Sequence, residues 1–145
     1  MQDAARFFAY TTWALMISLG IIIFTHQFFP FMDESIWLAL IIVAAFGFLY
    51  FNLIYAVIKR FIKKVPAPTS MHIALAGIIL SPPFVWIIVI NDTFSQNELL
   101  LLLILIPAAV LGTIYGNQAG IKARYEYVQK LKEYQKRAEE KRQNS

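Results

Sequence analysis

Four stretches of this chain run for twenty or more residues without a charged side chain: residues 7–29, 36–58, 71–90 and 99–120. About 20 residues of α-helix, at ~1.5 Å each, cross ~30 Å of hydrocarbon. Strands are shorter, and these runs show no alternation of apolar and polar positions. Lipid admits only helices and closed barrels, because every backbone amide and carbonyl must be satisfied internally, so the runs predict four membrane helices. Composition agrees: 59% of the 145 residues are hydrophobic and only 15% charged, against ~25% charged in an ordinary soluble domain. Disorder is excluded on the same grounds, and the absence of cysteine excludes disulfide scaffolds, thiol chemistry and iron–sulfur clusters. A secretory signal would compete for the first run, but its apolar core spans only ~7–15 residues and ends at a small-x-small cleavage site, which is missing here.

The basic residues set the expected orientation. Arg6 precedes the first run, Lys59, Arg60, Lys63 and Lys64 follow the second, and Lys122, Arg124, Lys130, Lys132, Lys136, Arg137, Lys141 and Arg142 follow the fourth. With four crossings all 13 bases fall on one side, while the two opposite loops, 30–35 and 91–98, carry only Asp33, Glu34, Asp92 and Glu98. Cationic loops stay in the cytoplasm, so both termini are expected there, in a bacterial cytoplasmic membrane. Trp37 and Trp86 near one boundary and Tyr10, Tyr55 and Tyr115 near the other match the aromatic belts of such proteins.

Local signals mark the ends. Ser95 to Glu98 reads S-x-x-E, a capping box for the fourth helix. The prolines of residues 65–68 stop the second helix, and Ser70 is placed to cap the third. The expected architecture is all-α: a four-helix transmembrane bundle of two helical hairpins over residues 1–121, followed by a basic cytoplasmic amphipathic tail helix over 122–145.

Ala108, Gly112, Gly116 and Gly120 recur every fourth residue and form a strip along one side of the fourth helix. Small residues let helix backbones approach closely where lipid removes the usual hydrophobic drive. The third helix offers Gly77 and Ser81 at the same spacing, so the strip is expected to pack against it within the chain; packing between subunits is the alternative. Pro82, Pro83 and Pro107 interrupt the third and fourth helices. Each removes an amide donor and kinks its helix, and paired broken helices also occur at transport sites. The kinks read as structural, with hydroxyls re-satisfying the freed carbonyls; under the alternative they mark a gate, lined by Asn52, Ser81 and Thr113. Asn52 is otherwise expected to bond between helices, worth ~0.6–2 kcal/mol.

No Asp, Glu, Lys or Arg falls inside the four runs, which weighs against ion-coupled carriers. His26 and His72 fall toward opposite ends of the membrane, each as an interfacial side chain, so no haem, metal, catalytic or cofactor site is assigned. In the tail, Tyr127, Leu131, Tyr134 and Ala138 form a short apolar stripe, and the segment is expected to lie solvated near the surface. Its bases Lys122, Arg124, Lys130, Lys132, Lys136 and Arg137, with Lys59, Arg60, Lys63 and Lys64 of the inner linker, are placed to meet anionic lipid or a partner protein, at ~1 kcal/mol per base for lipid. Nucleic acid is not expected, since acids interrupt the basic face. The functional expectation is a non-enzymatic accessory or interaction subunit with a membrane-protein partner or a second copy; the alternative is an oligomeric transporter, channel or pore former.

Overall fold

The computed structural model describes residues 2–66, 69–90 and 96–143. Helix α1 (Gln2–His26) is followed by the short α2 (Phe29–Glu34), α3 (Ile36–Lys64), α4 (Thr69–Val85) with a π-helical turn at Trp86–Ile90, and α5 (Gln96–Gln143). The described residues contain no strand. Four helices are long and apolar enough to cross a membrane. Their outer faces are as apolar as their contacts: Trp13, Ile41, Phe48 and Leu103 are all more than half exposed. A helix apolar all round belongs in lipid or in the core of a much larger protein.

Several boundaries differ from the sequence reading. The first long helix ends at His26, three residues early, where Gln27 and Phe28 donate back to Phe24 and Thr25 in a tight turn. Pro30 then sits in the first turn of α2, where a missing N–H costs nothing. Helix α3 runs past residue 58 to Lys64 and is closed by the Val65 amide on the Phe61 carbonyl at 2.8 Å. Lys63 and Lys64 occupy its last turn, where cations complement the helix dipole. Ser70 lies inside α4, which begins at Thr69, so it is not the cap. Ser95 of the expected capping box, with residues 67–68 of the proline linker, lies outside the described residues. Glu98 is buried in the first turn of α5, so one acid does enter the helical region. The largest difference is in α5: its 48 residues form one helix, ~72 Å long at ~1.5 Å per residue, with no break near residue 121.

The most extensive packing is between α3 and α5. A Cβ on Gly112 would meet Ile54 at 3.1 Å, one on Gly116 would meet Ile58 at 3.2 Å, and one on Gly120 would meet Ile62 at 2.8 Å. Residue numbers rise together in fours on both helices, so α3 and α5 run parallel, with three isoleucines seated on three glycines. The backbones come closest there: the same Cβ positions lie 3.0 Å from the Phe51 and Tyr55 carbonyl oxygens and 3.2 Å from that of Lys59. At the far end the roles reverse, and Gly47 of α3 receives Ile104 of α5. Ala108 is buried between these contacts.

Helices α1 and α4 form the second parallel pair, joined by Ser18 and Ile79. Phe7 and Tyr10 of α1 stack edge-on to Phe61 of α3 at 5.8 and 6.1 Å, closing α1 onto α3 at the end that carries the N-terminus. The main pairings are therefore between helices of like direction, not within the expected sequential hairpins. The glycine strip does pack inside the chain, but on α3 rather than α4. Gly77 has nothing within 4 Å of where its Cβ would be. The reason is geometric: α3 presents isoleucines at the spacing of the glycines, so each isoleucine fills the hollow that a glycine leaves.

Gly116→Leu is expected to push α5 off α3 and cost about 1–3 kcal/mol through overpacking against a carbonyl oxygen that cannot yield. Gly77→Ala is expected to be neutral or stabilising by up to ~1 kcal/mol, from helix propensity alone. Unfolding of the purified protein in mixed micelles measures both.

Candidate functional site

Three features concentrate polar chemistry or open space: a buried hydroxyl node beside the α4 prolines, a side cleft between α4 and α5, and a basic end.

Pro82 and Pro83 have no amide hydrogen, so the carbonyls four residues earlier, Ile78 and Ile79, lose their helical donors. Both are satisfied by hydroxyls. Ser81 donates to Ile78 at 2.8 Å within α4. Ser18 donates from α1 to the Ile79 carbonyl. The Ser18 hydroxyl also lies 3.0 Å from the Tyr50 hydroxyl of α3, which is 3.2 Å from the Ser18 carbonyl. A serine hydroxyl has one hydrogen, and Ile79 takes it, so Tyr50 is the donor toward Ser18. Ser18 and Tyr50 are 0% and 1% exposed. One node thus repairs the proline break and joins three helices. The π turn at Trp86–Ile90 follows directly, as wide turns do where helical winding is disturbed.

The remaining gate residues do not converge with it. Asn52 is exposed, and its amide donates to Phe48 of its own helix at 2.8 Å, so the expected interhelical bond is not made; its position on α3 faces away from the other helices. Thr113 donates to Ala109 at 2.7 Å, also within its helix. Pro107 is exposed on α5, whereas Pro83 is buried. Gly77, Ala76, Leu80, Ala109, Val110 and Thr113 line a largely apolar cleft of about 540 Å³ between α4 and α5.

His26 is exposed and meets the Trp86 ring edge at 5.2 Å. His72, near the start of α4, is only 3% exposed and is packed within the bundle. Neither of its ring nitrogens, nor the Thr11 hydroxyl, has a hydrogen-bond partner among the described residues. Because Ser18 and Ile79 fix the parallel register, stepping back seven residues on each helix, ~10 Å, brings Thr11 and His72 to one level. Among the described residues no three of His, Asp and Glu come together as metal ligands would.

At the basic end, Lys59 Nζ lies 5.4 Å over the Tyr55 ring and 3.4 Å from its hydroxyl. Lys63 Nζ lies 5.7 Å over the ring of Tyr127 on α5. Arg6, Lys63, Lys64 and Tyr127 line a cleft of about 350 Å³. Lys59, Arg60 and Lys63, with Tyr55, Ala56 and Ala123, line a second of about 280 Å³. Along α5, Lys122, Lys130, Lys132, Lys136 and Arg137 are exposed and Arg124 is half-buried. Arg6 and Tyr127 stand out in the sequence only as a flanking base and a stripe residue, not as neighbours of Lys63, and Tyr50 does not stand out at all. Ser18 carries one signal: a hydroxyl is needed somewhere for each carbonyl that a proline strands.

Comparison with protein-family models, with curated proteins and with solved structures gives no match. The architecture defines a chain with four candidate membrane-spanning helices, the last prolonged by a basic helical extension.

Ser18→Ala is expected to cost about 1–3 kcal/mol by stranding the Ile79 carbonyl, while the Tyr50 hydroxyl keeps the backbone carbonyl of residue 18 as its acceptor. In a Pro83→Ala background the cost should fall, since the alanine N–H can bond Ile79. A double-mutant cycle by micellar unfolding measures that coupling.

Proposed function

We propose that this chain is a small, non-enzymatic accessory or interaction subunit of a bacterial cytoplasmic membrane, with both termini in the cytoplasm, that engages a membrane-protein partner through its tail. The observation that carries this reading is the continuity of α5. A tail lying flat on the membrane would need a break after the fourth span, and α5 has none from Gln96 to Gln143. The helix therefore continues away from the bundle, extending ~24 Å past Tyr127 at ~1.5 Å per residue. Tyr127, Leu131 and Tyr134 are exposed along it at 48%, 43% and 68%. A helix that presents apolar anchors at i, i+4 and i+7 is the form that docks into a partner's groove. A stiff extension of the span holds that stripe at a fixed distance from the membrane.

The membrane orientation rests on charge: every base of the chain falls at one end of the bundle's alternating path. The interior supports a packing role over a transport role. The carbonyls freed by Pro82 and Pro83 are closed by hydroxyls, and Asn52 and Thr113 of the suspected gate bond within their own helices.

A photo-crosslinking residue at Tyr134 is expected to give one defined adduct at native expression, lost in a Leu131→Asp variant that still fractionates with membranes. A chain recovered in mild detergent as monomer only, without adduct, overturns the reading. Liposomes carrying the pure protein are expected to pass no solute; flux that changes with Pro82→Ala would instead support the transporter alternative.

A further inference from the structure

The two clefts at the basic end share a residue, Lys63, and together gather five cations from two helices: Arg6 of α1 and Lys59, Arg60, Lys63 and Lys64 of α3. Among the described residues no carboxylate lines either cleft. The nearest acid with a defined contact is Asp3, whose carboxylate is 3.5 Å from the Arg6 guanidinium and more than half exposed. Discounting Arg6 for that pairing leaves four positive charges around two adjoining hollows. Tyr127 and Tyr55 wall the clefts and lie beneath Lys63 and Lys59. Both hollows sit where the apolar length of α3 ends and, in the case of Arg6, where that of α1 begins.

From this geometry we infer a binding site for the headgroup of a diphosphate anionic lipid, with one phosphate held by Arg6, Lys63 and Lys64 and the other by Lys59, Arg60 and Lys63. The inference rests on the membrane insertion argued above. Two hollows of about 350 and 280 Å³ meeting at one lysine match two phosphates on a short linker better than one. Arginine supplies paired donors to phosphate oxygens, while lysine acts as a movable point charge. Basic pockets between helices at the cytoplasmic boundary are where such headgroups are held. The acyl chains would run along the exposed apolar sides of α1 and α3, where Phe8, Phe48 and Leu49 are all unburied. Tyr127 belongs to the stretch of α5 just outside the bundle, so an occupied cleft would also brace the root of the tail helix.

The test uses the full chain in mild detergent, with retention read by native mass spectrometry and by the rise in melting temperature. Cardiolipin, phosphatidylglycerol at equal phosphate, phosphatidylcholine and inorganic pyrophosphate are compared. Cardiolipin is expected to bind at least about tenfold more tightly than phosphatidylglycerol, and pyrophosphate not detectably. Lys63→Gln should lower cardiolipin retention about tenfold, Lys63→Arg should keep it, and Lys136→Gln with Arg137→Gln, which removes more charge from the tail, should leave it unchanged. The inference is overturned if phosphatidylglycerol binds equally, if the tail variant loses as much as Lys63→Gln, or if pyrophosphate binds as tightly as the lipid. Recovery of the chain without detergent would instead overturn the membrane reading; a detergent-requiring chain with no preference for cardiolipin overturns this inference alone.

Discussion

Where α5 crosses α3, three glycines and three isoleucines at a common spacing of four bring the α5 backbone close to the carbonyl oxygens of Phe51, Tyr55 and Lys59 on α3. In lipid there is no gain from hiding apolar surface from water, so association rests on close contact, dispersion and weak Cα–H to carbonyl contacts. The glycine seam supplies close contact over three successive turns. Its parallel sense has a consequence for the rest of the chain. The segment between two parallel helices must run back along the bundle, and that return is α4. With α3 and α5 held as a pair, α4 is left to pack mainly on α1, which it meets in parallel as well.

The second pair is held differently. Helix α4 contributes few small residues to a seam, and its far half is interrupted by Pro82 and Pro83. Instead, the backbone defect itself becomes a connection. A carbonyl stranded by Pro83 attracts the Ser18 hydroxyl, and Tyr50 completes the set from α3. Such bonds average well under 2 kcal/mol in membranes, but this one also removes the penalty of an unpaired carbonyl, and it ties the weaker pair to the stronger one. Packing along one seam and hydrogen bonding at one depth thus divide the work of holding four helices.

The same geometry bears on function. The carbonyls freed by Pro82 and Pro83 are bonded within the bundle, and the charged surfaces lie at the basic end. There the ends of α1 and α3 set cations around two hollows, and α5 leaves the bundle as an unbroken helix with tyrosines and a leucine on show. The proposed lipid site and the proposed docking stripe meet at Tyr127, where the tail departs from α3. Lipid occupancy and partner engagement would therefore share a support.

Four apolar runs, the segregation of every base and the every-fourth-residue strip were legible in the sequence, because hydrophobic length, charge and helical period are properties of neighbours along one chain. So was the need for hydroxyls beside the prolines, since each proline strands a carbonyl four residues back. What the sequence left open was which helix receives the glycines, which hydroxyl reaches Ile79, where Asn52 points, and that Arg6 and Tyr127 share a cleft with Lys63 and Lys64. These are relations between residues tens of positions apart, fixed by the fit of Ile54, Ile58 and Ile62 onto Gly112, Gly116 and Gly120. A strip of small residues states only that something comes close; the shape of the opposing side chains decides what does, and that exists only once the helices are assembled.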